Sequence, residues 1–158
     1  MMPLAMPATP SGGACFSVVL PDELATRRLA IDVANGLQPG DMVTLSGDLG
    51  AGKTTFARAL IRHLAGDETI EVPSPTFTLL QTYDLPRFRL AHVDLYRTSD
   101  PSELAELGFE DLGEDGVTVL EWPDRAPGRL PPNRFDIAFT LAPRRHHDRS
   151  PARDEIRA

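Results

Sequence analysis

One stretch constrains this chain more than any other: Gly47-Asp48-Leu49-Gly50-Ala51-Gly52-Lys53-Thr54-Thr55. It reads G-x-x-x-x-G-K-[ST], a phosphate-binding P-loop, whose chemistry requires a strand before it and a helix after it. Both flanks qualify. Met42-Val43-Thr44-Leu45 is a short apolar run of strand type. From Thr54 to Leu64 the apolar residues Phe56, Leu60, Ile61 and Leu64 repeat at helical spacing, and Gly66 stops the helix.

The spacing has a physical basis. The backbone N–H groups of Gly50, Ala51, Gly52, Lys53, Thr54 and Thr55 turn inward as a nest for a β-phosphate. The helix N-terminus adds its partial positive charge. Lys53 is placed to reach the β- and γ-phosphates, the Thr54 hydroxyl to complete a Mg²⁺ shell, and Thr55 to touch the α-phosphate. The plain alternative is a glycine-rich turn between strand and helix. Lys53 is the only lysine of the 158 residues; every other cationic side chain is arginine or histidine. A rigid guanidinium fork does not replace a compact ammonium in such a nest.

A P-loop nucleotide site needs an acid near the metal, normally at the C-terminal end of an apolar strand. Leu90-Ala91-His92-Val93-Asp94 offers Asp94, to hold Mg²⁺ directly or through a water. Val117-Thr118-Val119-Leu120 leads to Glu121, expected at the same sheet edge, to bind the metal or orient the attacking water. For each, the alternative is a solvated strand-end acid. His92 shares a strand face with Asp94 and is read as a hydrogen-bonded structural histidine. Trp122, the only tryptophan, is read as a packing residue, with stacking near the site as the alternative. Ser74-Pro75-Thr76-Phe77 lies where GTPases carry a γ-phosphate switch, which makes Thr76 a candidate; a rigid proline turn is the alternative. Arg97, Arg144 and Arg145 are further basic groups near or beyond these motifs.

The remaining pattern predicts an α/β fold: a P-loop NTPase-like mixed, mainly parallel sheet flanked by helices, in one domain over residues 16–142. Phe16 to Leu20 reads as a first strand. Asp22 caps a helix whose apolar stripe is Ala25, Leu29 and Val33, ended by Asn35-Gly36. Ile70-Glu71-Val72 reads as a short strand, as do Phe77 to Tyr83, Phe88 to Leu95 and Phe135 to Leu141. Asp100-Pro101-Ser102-Glu103 starts a short helix that Gly108 closes. Residues 1–15, rich in Pro, Gly, Ala and Ser, are expected to be a disordered tail, and residues 143–158 a flexible one.

Net charge is −7. A protein that grips nucleic acid unaided carries a basic surface, so any nucleic-acid role is expected to run through a partner. The single Cys15 excludes an internal disulfide. No apolar run approaches membrane-spanning length, and Met1 to Cys15 lack a basic region and are broken by Pro3, Pro7 and Pro10, so no signal peptide is read and the cytoplasm is expected.

Taken together, the stretches Pro21-Asp22-Glu23, Gly47–Thr55, Ser74-Pro75-Thr76-Phe77-Thr78-Leu79, His92-Val93-Asp94-Leu95-Tyr96-Arg97, Glu103-Leu104, Glu106-Leu107-Gly108 and Glu121-Trp122-Pro123 resemble the TsaE (YjeE) family of P-loop ATPases. The likeness covers about residues 16–142. It implies ATP or ADP with Mg²⁺ as ligands, a Mg²⁺ site matching Thr54 and Glu121 with Asp94 as strand-end acid, and a nucleotide contact near Asp22. It also implies a slow ATPase that serves formation of threonylcarbamoyladenosine beside the tRNA anticodon. That ATPase docks on TsaD and TsaB, meets tRNA only indirectly, and does not transfer the group itself. Three other readings compete. A small-molecule P-loop kinase would need an acceptor pocket and a closing lid with arginines; Arg125, Arg129 and Arg134 could be misread as one, but their segment is proline-rich and does not read as a helical lid. A GTPase would need an N-K-x-D motif, which the single lysine forbids. A nucleotide-gated interaction module without catalysis would leave Asp94 and Glu121 without a task.

Overall fold

The computed structural model describes residues 2–5, 15–75, 79–97, 102–106 and 114–141. In chain order these give strand β1 (Met2–Ala5), β2 (Val18–Leu20), helix α1 (Glu23–Gly36), β3 (Met42–Ser46), α2 (Lys53–Ala65), β4 (Leu80–Asp84), β5 (Arg89–Asp94), the short α3 (Ser102–Glu106), β6 (Gly116–Glu121), a 3₁₀ turn (Pro123–Arg125) and β7 (Phe135–Phe139). The strands form one sheet in the order β2-β1-β7-β3-β6-β5-β4. The centre, β7-β3-β6-β5, is parallel. The outer pairs β4–β5, β1–β7 and β1–β2 are antiparallel. The predicted mixed, mainly parallel α/β sheet is the one observed.

Burial follows from this order. Parallel strands covered on both faces read as continuous apolar runs. Every residue from Gly116 to Glu121 is buried, as are Met42, Val43, Thr44 and Leu45. On one face Val43, Leu45, Val117, Val119, Ile137 and Phe139 pack with α1 and α2, and the Phe56 and Phe139 rings meet edge to face at 5.6 Å. On the other, Met42, Val93, Leu95, Leu120 and Ala126 form a smaller cluster.

Four local expectations change. Residues 2–5 form a strand between β2 and β7, where a disordered tail was expected; the pairing is long-range and leaves no local sequence signature. Residues 1 and 6–14 of that tail, and residues 143–158 with Arg144 and Arg145, lie outside the described residues. Ile70-Glu71-Val72 is not a strand. Its carbonyls are taken by side chains of α2: Arg62 Nε donates to Ile70 O at 3.0 Å and Arg58 Nε to Val72 O at 3.4 Å. The fully buried stripe of α1 is Thr26, Ala30 and Ala34, one position on from the expected one, because small residues let α1 lie close on α2. Ala25, Leu29 and Val33 are partly buried beside it. Strand β4 starts at Leu80, later than expected, and Phe77 lies outside the described residues.

Helix α1 lacks a basic residue in its own last turn. Arg87, from the turn joining β4 to β5, supplies one: its guanidinium donates to Ala34 O at 3.1 Å and to Leu37 O.

Candidate functional site

The P-loop leaves β3 through Gly47, whose φ of 133° few other residues adopt. Gly52, at φ 114°, caps α2 without bringing a side chain to the first-turn N–H groups. The helix therefore presents its amide end and dipole to whatever lies above it. A cleft of about 270 Å³ opens there, lined by Gly50, Gly52, Lys53, Thr54, Thr55, Ser74, Asp94, Glu121 and Trp122 among others. Of the predicted site residues, the structure brings Gly50, Gly52, Lys53, Thr54, Thr55, Asp94 and Glu121 to this one cleft. Ala51 is buried beneath the loop, its N–H donating to Asp48 O at 3.1 Å. Thr76 lies outside the described residues.

Asp22 is used differently. Its Oδ1 accepts from Ala25 N at 2.9 Å as the N-cap of α1, and it does not line the cleft. Asp22→Ala is expected to cost about 1 kcal/mol, seen as a drop of roughly 3 °C in Tm. Calorimetric titration of the same variant with ADP checks the contact implied by the resemblance: an unchanged Kd restricts Asp22 to capping.

The two acids reach the cleft through sheet register. In the parallel β5–β6 pair, Asp94 lies beside Glu121, so their backbones are separated by about 4.8 Å. Both are buried. Asp94 Oδ1 accepts from Tyr96 N at 2.9 Å and Oδ2 from Ser74 Oγ at 3.2 Å. Glu121 Oε2 accepts from His92 Nε2 at 2.7 Å. The histidine is thus hydrogen-bonded, and its partner is the very acid named on the next strand.

Lys53 is buried, and its Nζ donates to Gly47 O and to Asp48 O at 2.8 Å. Burial pulls the ammonium below its ordinary range, and the nearby carboxylates of Glu121 and Asp94 push back. An arriving phosphate adds negative charge to the side that favours the ammonium, so the desolvated lysine is primed for an anion. Trp122 closes the other side. Lys53 Nζ lies 4.4 Å from the Trp122 ring centroid, and the Tyr96 ring packs against the same indole at 5.0 Å, tilted by 44°. The tryptophan therefore packs against the smaller core cluster and also stacks at the site, the alternative the sequence left open. Its backbone sits at φ 63°, directly before Pro123, which is unfavourable twice over for a bulky residue. A hydrogen bond from Trp122 N to Leu45 O holds it there. Strain of this kind concentrates at functional sites.

The donor set suits one class of metal. Among the described residues no three His, Cys, Asp or Glu side chains form a cage. For a cation the cleft offers the hydroxyls of Thr54, Thr55, Ser74 and Tyr96 and the carboxylates of Asp94 and Glu121, hard oxygens only. Mg²⁺ is held in this way, by one or two carboxylates plus substrate phosphates and water.

The three arginines of the kinase reading do not line the cleft among the described residues. Arg134 is tied to Asp136 at 2.9 Å and to Pro131 O at 2.8 Å. No helix among the described residues is long and apolar enough to cross a membrane.

Comparison with known proteins agrees with this geometry. The family model described as threonylcarbamoyl adenosine biosynthesis protein TsaE matches residues 20–150. The chain is 42% identical over 120 residues to a Rickettsia felis protein named tRNA threonylcarbamoyladenosine biosynthesis protein TsaE, covering 76% of this chain and 70% of that one. A protein of the same name from Bacillus subtilis is 39% identical over 128 residues, 80% of this chain and 77% of that one. The crystal structure of YdiB from Bacillus subtilis superposes with a TM-score of 0.63 at 31% identity, covering 79% of this chain and 76% of that one.

Proposed function

This chain belongs to the TsaE family, and from that premise we propose that it is a slow Mg²⁺-dependent ATPase serving threonylcarbamoyladenosine formation beside the tRNA anticodon. It acts in the cytoplasm, docked on the TsaD–TsaB complex, and does not transfer the modifying group. The observation that carries the reading is the meeting of Lys53 and Thr54 with Asp94 and Glu121 at one cleft over the α2 N-terminus.

Each residue then has a task. The loop amides and the α2 dipole bind the phosphates and fix their orientation. Lys53 gives up its bonds to Gly47 O and Asp48 O to follow charge toward the β- and γ-phosphates. Thr54, Asp94 and Glu121 would hold Mg²⁺, which when bound neutralises charge between those phosphates. The carboxylate of Glu121 or Asp94 left nearest the γ-phosphate orients the attacking water. Acidic net charge fits a protein-docked role better than a direct grip on tRNA.

The test is ATP hydrolysis by the purified chain, alone and with TsaD–TsaB. Turnover is expected to be slow alone and to rise at least about tenfold with the partners, as for a site completed on docking. Brisk hydrolysis that ignores the partners would reject the docked role.

A further inference from the structure

Beside the two cleft acids lies a buried imidazole that has so far been given no task. His92 is fully buried between the sheet and the helix layer, on the same face of β5 as Asp94. Its Nε2 lies 2.7 Å from Glu121 Oε2. A carboxylate only accepts, so the histidine donates. Among the described residues this is the one hydrogen bond to the Glu121 side chain.

The other ring nitrogen is informative. His92 Nδ1 is buried and has no partner among the described residues. A leucine or methionine would fill the same space without an orphaned nitrogen, whose desolvation is costly. The packing alone gives no reason for an imidazole; the bond to Glu121 does.

We propose that His92 is a positioning residue for the metal-binding carboxylate. It holds Glu121 by Oε2 and leaves Oε1 as the oxygen offered to the cleft. The β5–β6 register makes this possible: His92 lies beside Val119, two residues before Glu121, so the imidazole sits one step behind the carboxylate on the same face. Partners of this kind, one shell behind a ligand, typically alter metal affinity 10–100-fold when removed. The proposal rests on the reading of Glu121 as a Mg²⁺ ligand.

The test uses the full chain and calorimetric titration with ADP, first in EDTA and then at stepped Mg²⁺ concentrations. Four variants are compared: His92→Gln, His92→Asn, His92→Ala and Glu121→Gln. A glutamine amide nitrogen takes nearly the place of Nε2, whereas an asparagine amide nitrogen takes that of Nδ1. His92→Asn and His92→Ala are expected to raise the Mg²⁺ concentration for half effect about tenfold or more. His92→Gln should stay within about threefold of the parent, and ADP affinity in EDTA should stay within about twofold in every His92 variant. Because Gln and Asn are close in size to His, their comparison decides the matter even if His92→Ala does not fold. Equal Mg²⁺ shifts in the Gln and Asn variants, or no shift in Asn, would overturn the positioning role. If Glu121→Gln shifts the Mg²⁺ response while His92→Asn does not, the metal reading stands and the positioning role falls. If Glu121→Gln leaves the response unchanged, both fall together.

Discussion

Replacing Lys53 by alanine is expected to lower ATP hydrolysis at least about a hundredfold, measured with TsaD and TsaB added to test the proposed docking. Removing a single preorganised charge from a water-poor site where negative charge develops has effects of this size. Lys53 is such a charge: buried, below its ordinary pKa through desolvation, and flanked by Asp94 and Glu121. The variant should still fold. Its loss strips donors from Gly47 O and Asp48 O, a cost of about 1–3 kcal/mol, partly offset by no longer burying an ammonium. Lys53→Arg should not rescue, since the planar fork does not fit a loop built for a compact cation. Turnover at the parental rate in Lys53→Ala would remove the basis for an ATPase.

A second large effect falls on the fold. Gly47→Ala is expected to destabilise the domain by about 4 kcal/mol, a drop of roughly 10 °C in Tm by thermal melting. Two independent penalties add. The backbone at φ 133° is a conformation side chains rarely adopt, and an added Cβ would stand 2.3 Å from the carbonyl oxygen of Phe139. That oxygen belongs to the end of β7, fixed against β3 by parallel pairing, so relief requires moving the strand that carries the P-loop. Phosphate binding should weaken along with stability. A melting temperature equal to the parent's would mean that the β3–β7 junction yields freely.

Much of this site was legible in the sequence because P-loop chemistry is local. Gly47 to Thr55, the flanking strand and the amphipathic α2 lie within 24 consecutive residues, 42–65. Asp94 and Glu121 were legible as the ends of apolar strands. What joins them was not: the contact of His92 with Glu121 spans 29 positions and depends on β5–β6 register. For Trp122 the sequence offered packing, with stacking near the site as the alternative; its left-handed backbone was hidden for the same reason, since it is set by Leu45 O and the Tyr96 ring. The failed strand at Ile70 to Val72 has a different cause. Its propensity is right, but side chains from α2 occupy the carbonyls a ladder would need. The Pro3-containing strand β1 exists through its neighbours rather than its composition.

The position of β3 sets a clock for the newborn chain. Both strands that flank it, β6 and β7, are encoded after it. When Ser46 and the P-loop have left the ribosome, the partners of Val43 and Leu45 have yet to be made. At typical synthesis rates the interval up to Phe139 lasts about 5–20 s. Through that interval the loop has its full sequence but no sheet to hold its first glycine, and the apolar β3 is an unpaired edge open to wrong partners. Translation through β6 and β7 is therefore the step that turns a written P-loop into a working one, and pauses after the P-loop and before residue 135 lengthen the exposed phase.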